Sequence, residues 1–273
     1  MTELDEFERL KKAQLRKRKQ SFTTTLKAVS AMLDVAAMDG IAKIRAIDQV
    51  IWDKAEAAEI EEGSSKSGWY GPPKGDHTGE EDKFSTIDDA IKAIRDISDN
   101  GGVYPDGTDV YGEFDFTLEQ ANTIYSVLED VKTRYGITML GVYKTDLFDN
   151  PDAIMQAYEA GNLIRVNSAI DNPGTFDKMK RVSQEGWTLA SDFRSALYHE
   201  IGHCAMNNNP RAHERAKIEY DDTRHILFTI SRYASTGYKE MIAESFVNYA
   251  LSIKPEASIL TDSIIKLVFE GKY

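Results

Sequence analysis

The residues best suited to chemistry form the pattern His-Glu-x-x-His, which runs from His199 through Glu200 to His203. On a helix the two histidines share one face, because residues four apart are neighbours there. Two imidazoles so placed can bind one zinc ion, and Glu200 can reach a water at the metal as general base. The pattern predicts a metal-dependent hydrolase, most simply a peptidase. The alternative is a core helix that carries two incidental histidines.

The residues around this motif predict a buried helix over about Leu189 to Met206. Gly202 is a poor helix former, so its presence inside the motif indicates a close approach of another backbone. Cys204 is the only cysteine, and it lies about 100° around the helix from the preceding histidine. We therefore expect it to be a small buried residue and not a ligand. The apolar face is formed by Phe193, Ala196, Leu197, Ile201 and Ala205.

A catalytic zinc ion usually takes three protein ligands and leaves one position for water, so a third ligand must come from elsewhere. The metzincin arrangement needs a glycine three residues after the second histidine and a histidine three residues later. This chain has Met206 and Asn209 at those positions, which excludes that arrangement. His213 and His225 are weaker candidates, since no second ligand follows either of them at helical spacing. His77 lies in a polar stretch and is read as a solvated loop residue.

A later segment, Lys239 to Leu251, is predicted to be a helix that carries carboxylates. Glu240 and Glu244 lie one turn apart beside Ala243, whose small side chain permits close approach. A buried pair of carboxylates would repel, so a nearby cation would be the natural compensation. The alternative is two solvated glutamates on the surface, because unpaired glutamates are rarely buried.

Three stretches together resemble the catalytic domain of the anthrax lethal factor family of gluzincins: residues 199–203 (HEIGH), 231–240 (SRYASTGYKE) and 241–246 (MIAESF). In that family a tyrosine precedes the ligand glutamate by seven residues, and a second glutamate lies within Ala-Glu-x-Phe. The resemblance covers about residues 137–250 and implies a Zn²⁺ peptidase of the gluzincin type. The implied zinc ligands are His199, His203 and Glu240.

The resemblance also implies roles for other residues. Tyr233 would stabilise the oxyanion through its hydroxyl, although Tyr238 stands near enough to replace it, and Glu244 would orient a ligand histidine. The strand at residues 162–167 would be the edge on which a peptide or protein substrate pairs. The residues on one face of this strand, and the expected substrate contacts, are Leu163, Arg165 and Asn167.

Similar domains occur in phage head-associated minor proteins. The resemblance therefore implies an endopeptidase that is carried in a phage particle or acts on one. The alternative is a structural virion or assembly protein that retains a non-catalytic metallopeptidase fold, because a fold and its site can persist without turnover.

The predicted architecture is α+β: a mostly helical, zincin-like domain with a small sheet, over residues 85–273. Apolar residues at intervals of three and four predict a long helical arm over residues 1–62. Its apolar stripe must be buried, either on a virion or another assembly partner or against the arm's own domain. Glycine, serine, proline and charge make residues 63–84 a linker or long loop.

Several elements can be placed within the predicted domain. Ser85 with Asp88 is a capping-box-like start of one helix, and Thr117 with Gln120 starts another that ends at Gly136. Residues 137–143 read as a buried strand, and residues 176–182 read as a helix. The charged insert from residue 211 to residue 224 contains Asp221-Asp222, which resembles a loop turn.

Composition limits the partners and the location. The net charge of −12 makes nucleic-acid binding unlikely, and a basic run at residues 11–19 is read as a solvated helix face. The chain has no run of 18 apolar residues, so we expect no membrane contact. Its first residues are acidic and lack an apolar stretch, so no signal peptide is expected. The expected location is the cytoplasm or a phage virion.

Overall fold

The computed structural model describes residues 83–148, 153–158, 161–206 and 210–269. The predicted arm at residues 1–62 lies outside these ranges, as does nearly all of the linker predicted at residues 63–84. Within the described ranges no helix has the length and the apolar character needed to cross a membrane.

The described residues form seven α-helices and one three-stranded sheet, so the architecture is α+β with helix predominating. Short 3-10 turns connect several of these elements. The helices are α1 (Ile87–Ile97), α2 (Leu118–Tyr135), α3 (Thr175–Gln184), α4 (Phe193–Ala205), α5 (Pro210–Thr223), α6 (Tyr238–Leu251) and α7 (Ser258–Phe269), and the strands are β1 (Gly141–Thr145), β2 (Met155–Tyr158) and β3 (Leu163–Asn167).

The sheet has the order β1-β3-β2, with β3 parallel to β1 and antiparallel to β2. The prediction that the strand at residues 162–167 forms the edge is therefore wrong. β3 is the central strand, and four of its five residues are buried. A strand paired on both sides has no backbone groups left for a substrate. The two edge strands of the sheet are β1 and β2.

The strand predicted at residues 137–143 is shifted in the structure to β1. Ile137 and Met139 are buried, as in a strand, but the carbonyl oxygen of Met139 accepts a hydrogen bond from Asp99 N–H at 2.8 Å. Pairing with β3 begins only at Gly141, opposite Leu163. Residues 137–140 precede the paired strand, and their apolar pattern reflects burial in the core. The pattern therefore does not show at which residue the hydrogen bonding to β3 begins.

Capping residues define the first two helices. α2 begins as predicted, with a full capping box between Thr117 and Gln120, and it ends at Gly136 with a φ of 60°. α1 instead begins after Thr86, whose side chain accepts a hydrogen bond from Asp89 N–H. Ser85 is one residue too early, so that predicted start is wrong by one position.

The charged insert is a helix, α5, and not a loop. It begins at Pro210, which is the first helical position. Proline has no backbone N–H, but at this position the helix has no acceptor for one, so no hydrogen bond is lost. Ala212 and Ala216, one turn apart, are fully buried. Asp221 and Asp222 lie in its last turn, so the loop turn predicted there is wrong.

Candidate metal centre

Helix α4 carries both histidines of the motif. Asp192 caps it and forms a reciprocal capping box with Ser195, so the helix is regular from Phe193 onward. His199 and His203 are consequently one turn apart, with ring centroids separated by 5.0 Å. Their exposed fractions are only 6% and 8%. The two imidazoles thus lie on the same side of α4, at the edge of the core.

Close packing of α4 against α6 brings the third candidate ligand to these histidines. A Cβ atom at Gly202 would lie 2.7 Å from Ala243 Cα and 3.1 Å from Phe246 Cβ, closer than side chains can pack. The expectation that Gly202 marks a close backbone approach is confirmed. Cys204 is fully buried, as predicted. Glycine and alanine at this contact allow Glu240, in the first turn of α6, to reach the histidines.

Three donor atoms converge between the two helices. Glu240 Oε2 lies 3.2 Å from His199 Nε2 and 3.4 Å from His203 Nε2. One ligand atom from each of these three residues lies within 4.8 Å of the others. The predicted ligand set is therefore assembled in one place, and it could hold a metal ion.

The spacing and the chemistry of this set fit a divalent ion such as zinc. Ligand bonds to zinc are about 2.0–2.1 Å, so two ligands at tetrahedral positions lie about 3.3 Å apart. Glu240 Oε2 is buried and accepts no well-aligned hydrogen bond from the described residues. A buried carboxylate oxygen without such a partner is costly, and a cation would offset that cost.

Glu244 is fully buried and lies behind His199. Its Oε1 lies 2.9 Å from His199 Nδ1, and its Oε2 accepts a hydrogen bond from Leu189 N–H at 2.7 Å. The hydroxyls of Thr188, at 2.6 Å from Oε1, and Ser231 also hydrogen-bond to it. A carboxylate on the second nitrogen of a ligand histidine fixes the tautomer and the ring orientation.

Glu200 and Tyr233 flank the three donors. Glu200 Oε2 accepts a hydrogen bond of 2.6 Å from the backbone N–H of Ala157 on β2. The ring of Tyr233 stacks on the ring of His199, with 5.6 Å between centroids and 11° between planes, and it is 39% exposed. Tyr238, the alternative to Tyr233, instead packs its ring against His213 of α5.

The ionisable groups of the site shift one another strongly. Burial alone would raise the pKa of Glu240, but the two neighbouring imidazoles outweigh burial and lower this pKa to about 2. Burial alone would lower the pKa of His199, whereas Glu240 and Glu244 raise it well above 6.5. Burial and the nearby carboxylates raise the pKa of Tyr233 to about 12. Without a metal ion, His199 is thus a cation between two carboxylates, and Tyr233 keeps its proton.

A cleft of about 650 Å³ opens in front of these residues, so the site is accessible to a ligand larger than water. Strand β2 forms one wall, and helix α3 with the segment that follows it forms another. The residues around it include Ile154, Met155, Ala157, Met179, Val182, Trp187, Ala196, His199, Glu200, His203, Tyr233 and Glu240.

No protein-family model, curated protein or solved structure matches this chain. The site is therefore interpreted from its own geometry. The structure brings together the six residues expected to act at the metal: His199, Glu200, His203, Tyr233, Glu240 and Glu244.

The three expected substrate contacts do not join this group. Leu163, Arg165 and Asn167 lie on central strand β3 and are absent from the residues that line the cleft. Leu163 is 1% exposed, and Asn167 donates its side-chain N–H to the carbonyl oxygen of Ala153. Arg165 reaches outward to Gln156 and Leu147. Their side chains hold the sheet and its adjoining loops together.

Two participants were missed from the sequence. Thr188 bonds to Glu244 from a position 56 residues earlier, and no local pattern distinguishes it from other threonines. Ala157 acts through its backbone N–H, which any residue except proline would supply. Recognising β2 as an edge strand facing α4 would have been the only signal for Ala157.

Proposed function

We propose that this chain is a zinc-dependent endopeptidase with a zincin-like catalytic domain. The observation that carries the proposal is the convergence of His199, His203 and Glu240 on one point, with Glu200 beside them at an open cleft. Two histidines and a glutamate are a known catalytic zinc set, which leaves a position for water.

The chemistry divides between the ion and the side chains around it. A zinc ion at this site supplies Lewis acidity, which lowers the pKa of water and polarises a carbonyl group. Glu200 takes the proton from the attacking water and returns it to the amide nitrogen as the C–N bond breaks. The hydrogen bond from Ala157 N–H fixes this carboxylate toward the cleft. Tyr233 donates its hydroxyl to the oxyanion, because its raised pKa keeps it protonated.

The geometry of β2 supports an extended peptide as the substrate. Asn167 N–H donates to Ile154 O at 2.8 Å, which places this pair at a hydrogen-bonded position of the antiparallel ladder. Pairs alternate along such a ladder, so the backbone groups of Met155 and Ala157 point away from β3. Both residues line the cleft. Because Ala157 N–H already donates to Glu200, an extended peptide would pair by strand addition through the backbone groups of Met155 and the carbonyl oxygen of Ala157.

The walls of the cleft favour apolar side chains on that peptide. Helix α3 has no buried residue, yet Met179 and Val182 face the cleft. Trp187, which is 47% exposed, continues this apolar wall. Removing an apolar side chain from water into such a wall is favourable. We therefore expect cleavage next to a bulky apolar residue.

The direct test is Glu200→Gln. Zinc-loaded wild-type protein is incubated with a mixed-sequence peptide library, and cleavage products are identified by mass spectrometry. The variant should retain zinc but cleave about 10²–10⁴-fold more slowly, because glutamine cannot accept the proton. Glu214→Gln is the matched control, since Glu214 lies exposed on α5 away from the cleft, and it should cleave at the wild-type rate.

Two results would contradict the proposal. One is wild-type cleavage by a Glu200→Gln variant that has bound zinc, which would remove the base from the mechanism. The other is a wild-type protein that binds zinc at full occupancy and cleaves no peptide in the library, which would leave the metal with a structural role only.

A further inference from the structure

Residues 186–190, which connect α3 to α4, contact both sides of the candidate metal centre. The carbonyl oxygen of Gly186 accepts a hydrogen bond from Arg232 N–H at 3.0 Å, and that of Trp187 accepts one from Tyr233 N–H at 2.8 Å. This segment therefore holds the backbone of the tyrosine that stacks on His199.

The same segment also holds Glu244. The hydroxyl of Thr188 donates to Glu244 Oε1 at 2.6 Å, and Leu189 N–H donates to Oε2 at 2.7 Å. An ionised carboxylate can only accept hydrogen bonds, so the hydroxyl proton must point at it. The oxygen of Thr188 in turn accepts a hydrogen bond from Ala190 N–H at 3.1 Å, which fixes its rotamer.

The oxygen that Thr188 contacts is the one that faces the ligand histidine. Glu244 Oε1 is 2.9 Å from His199 Nδ1, while His199 Nε2 is 3.2 Å from Glu240 Oε2. A chain of contacts therefore runs from Ala190 N–H through Thr188 and Glu244 to the imidazole that faces the metal position. Rotation of the carboxylate would release the imidazole from this orientation.

We propose that Thr188 is a positioning residue for the metal centre. Its hydroxyl orients the carboxylate of Glu244, and that carboxylate holds His199 with Nε2 directed toward Glu240 and His203. Thr188 lies outside the sequence motifs, and a single hydrogen bond connects it to Glu244, which belongs to one of them. The inference rests on the proposed function in one respect only, namely that the site binds a divalent ion.

The test measures zinc affinity of the full chain by competition with a chromophoric chelator. Thr188→Val keeps the shape and removes the hydroxyl. Loss of a group bonded directly to a ligand weakens metal binding about 10–100-fold, and Thr188 acts one hydrogen bond further out, so zinc should bind about tenfold more weakly. Thr188→Ser restores the hydroxyl and should bind zinc with nearly wild-type affinity. The visible spectrum of the cobalt-substituted protein is a second readout, and it should change in the valine variant and not in the serine variant.

Thr223→Val is the matched control. Thr223 is 1% exposed, and its hydroxyl donates to Glu219 O at 2.6 Å, away from the cleft. Its loss should reduce stability and leave zinc affinity unchanged. Thr188→Ala is measured in parallel, because it removes the hydroxyl without placing a methyl group against the carboxylate. If Thr188→Val loses its helical circular dichroism, the alanine variant replaces it in the comparison.

Three outcomes would overturn the inference: wild-type zinc affinity without the Thr188 hydroxyl, an equal loss in Thr188→Ser, or an equal loss in Thr223→Val. In each of these the wild-type protein still binds zinc, so none of them contradicts the proposed function. A wild-type protein that binds no zinc would instead overturn the proposed function itself, and this inference with it.

Discussion

At the scale of single residues, the candidate metal centre consists of imidazole and carboxylate groups. These groups can bind either a metal ion or a proton, so the two compete for the site. His199 carries a proton in the metal-free site, because Glu240 and Glu244 overcome the effect of burial on its pKa. The ion and the proton stabilise the same pair of carboxylates. Metal binding must therefore displace the proton.

This competition predicts that zinc affinity depends on pH. The pKa of His199 is raised, so the imidazole is protonated below that pKa, and zinc binds only after the proton leaves. Apparent affinity should rise with pH between 6 and 8, by up to about tenfold per unit for each proton released. Titration calorimetry in two buffers of different ionisation enthalpy measures the number of protons.

The control for this measurement is His213→Ala, because His213 lies on α5 against Tyr238 and away from the three donors. It should leave the pH dependence as it is in the wild type. An affinity that is the same at pH 6 and pH 8, with no proton release, would contradict the protonated state assigned to His199.

How far the residues could be predicted depends on how local their contacts are. The histidines and Glu200 were found because they lie within one helical turn, where spacing in sequence is spacing in space. Thr188 was not found, because its contact with Glu244 joins positions 56 residues apart. Tyr233 and Glu244 were identified through a family resemblance, and the structure places both beside His199.

At the scale of elements, the site depends on how closely α4 and α6 approach. Both helices are buried along most of their length, including every residue from Met241 to Ala250. A fixed distance between two buried helices gives Glu240 a fixed distance from the histidines. The close contact at Gly202 is thus a condition for the metal site as well as for the core.

The contact predicts the effect of Gly202→Ala. The new Cβ would lie 2.7 Å from the backbone of Ala243, so the helices must move apart. We expect the free energy of unfolding to fall by about 1–3 kcal/mol, as for other overpacked cores, even though alanine is the better helix former. Urea unfolding of the metal-free protein measures the loss, and a zinc titration should show weaker binding.

Gly237→Ala is the control for that variant. A Cβ at this residue would meet nothing within 4 Å, and the backbone there is extended. Because Gly237 is the N-cap of α6, where alanine is less favourable than glycine, this variant should lose at most about 1 kcal/mol of stability and keep the wild-type zinc affinity. If Gly202→Ala were as stable as the wild type and bound zinc equally well, the helix contact would not set the ligand geometry.

Strand β2 shows why some elements could not be predicted. Its sequence, Met-Gln-Ala-Tyr, contains three good helix formers, and local propensity argues against a strand. It is extended because β3 offers it an antiparallel partner, with Met155 opposite Val166 and Tyr158 opposite Leu163. Tertiary pairing thus overrides propensity. Missing β2 also led to the wrong choice of β3 as the edge.

At the scale of the whole molecule, the fold class could be predicted and the topology could not. Helical periodicity and capping residues gave most helices, including the capping box at Thr117. Strand order gives no local signal, because it depends on which segments meet after the chain has folded. Helix α5 was missed because its charged surface concealed two buried alanines, Ala212 and Ala216.

The arrangement of the whole domain brings distant segments to one cleft. Strand β2, helix α3, the segment after α3, helix α4, the turn at Tyr233 and helix α6 all contribute to it. Strand β2 contributes a backbone edge, and α3 with the segment after it contributes an apolar wall. The candidate metal ligands come from α4 and α6, and the hydroxyl donor comes from Tyr233. The central claim is that these segments meet around one divalent ion.

Metal content tests that claim most directly. Wild-type protein and His203→Ala are purified side by side, exposed to equimolar zinc, desalted and assayed by elemental analysis. His203 is one of the three donors, so its loss leaves two ligands and a weak site. We predict about one zinc ion per wild-type chain and almost none in the variant, with similar circular dichroism for both. Equal zinc in the two proteins, or none in the wild type, would contradict the account.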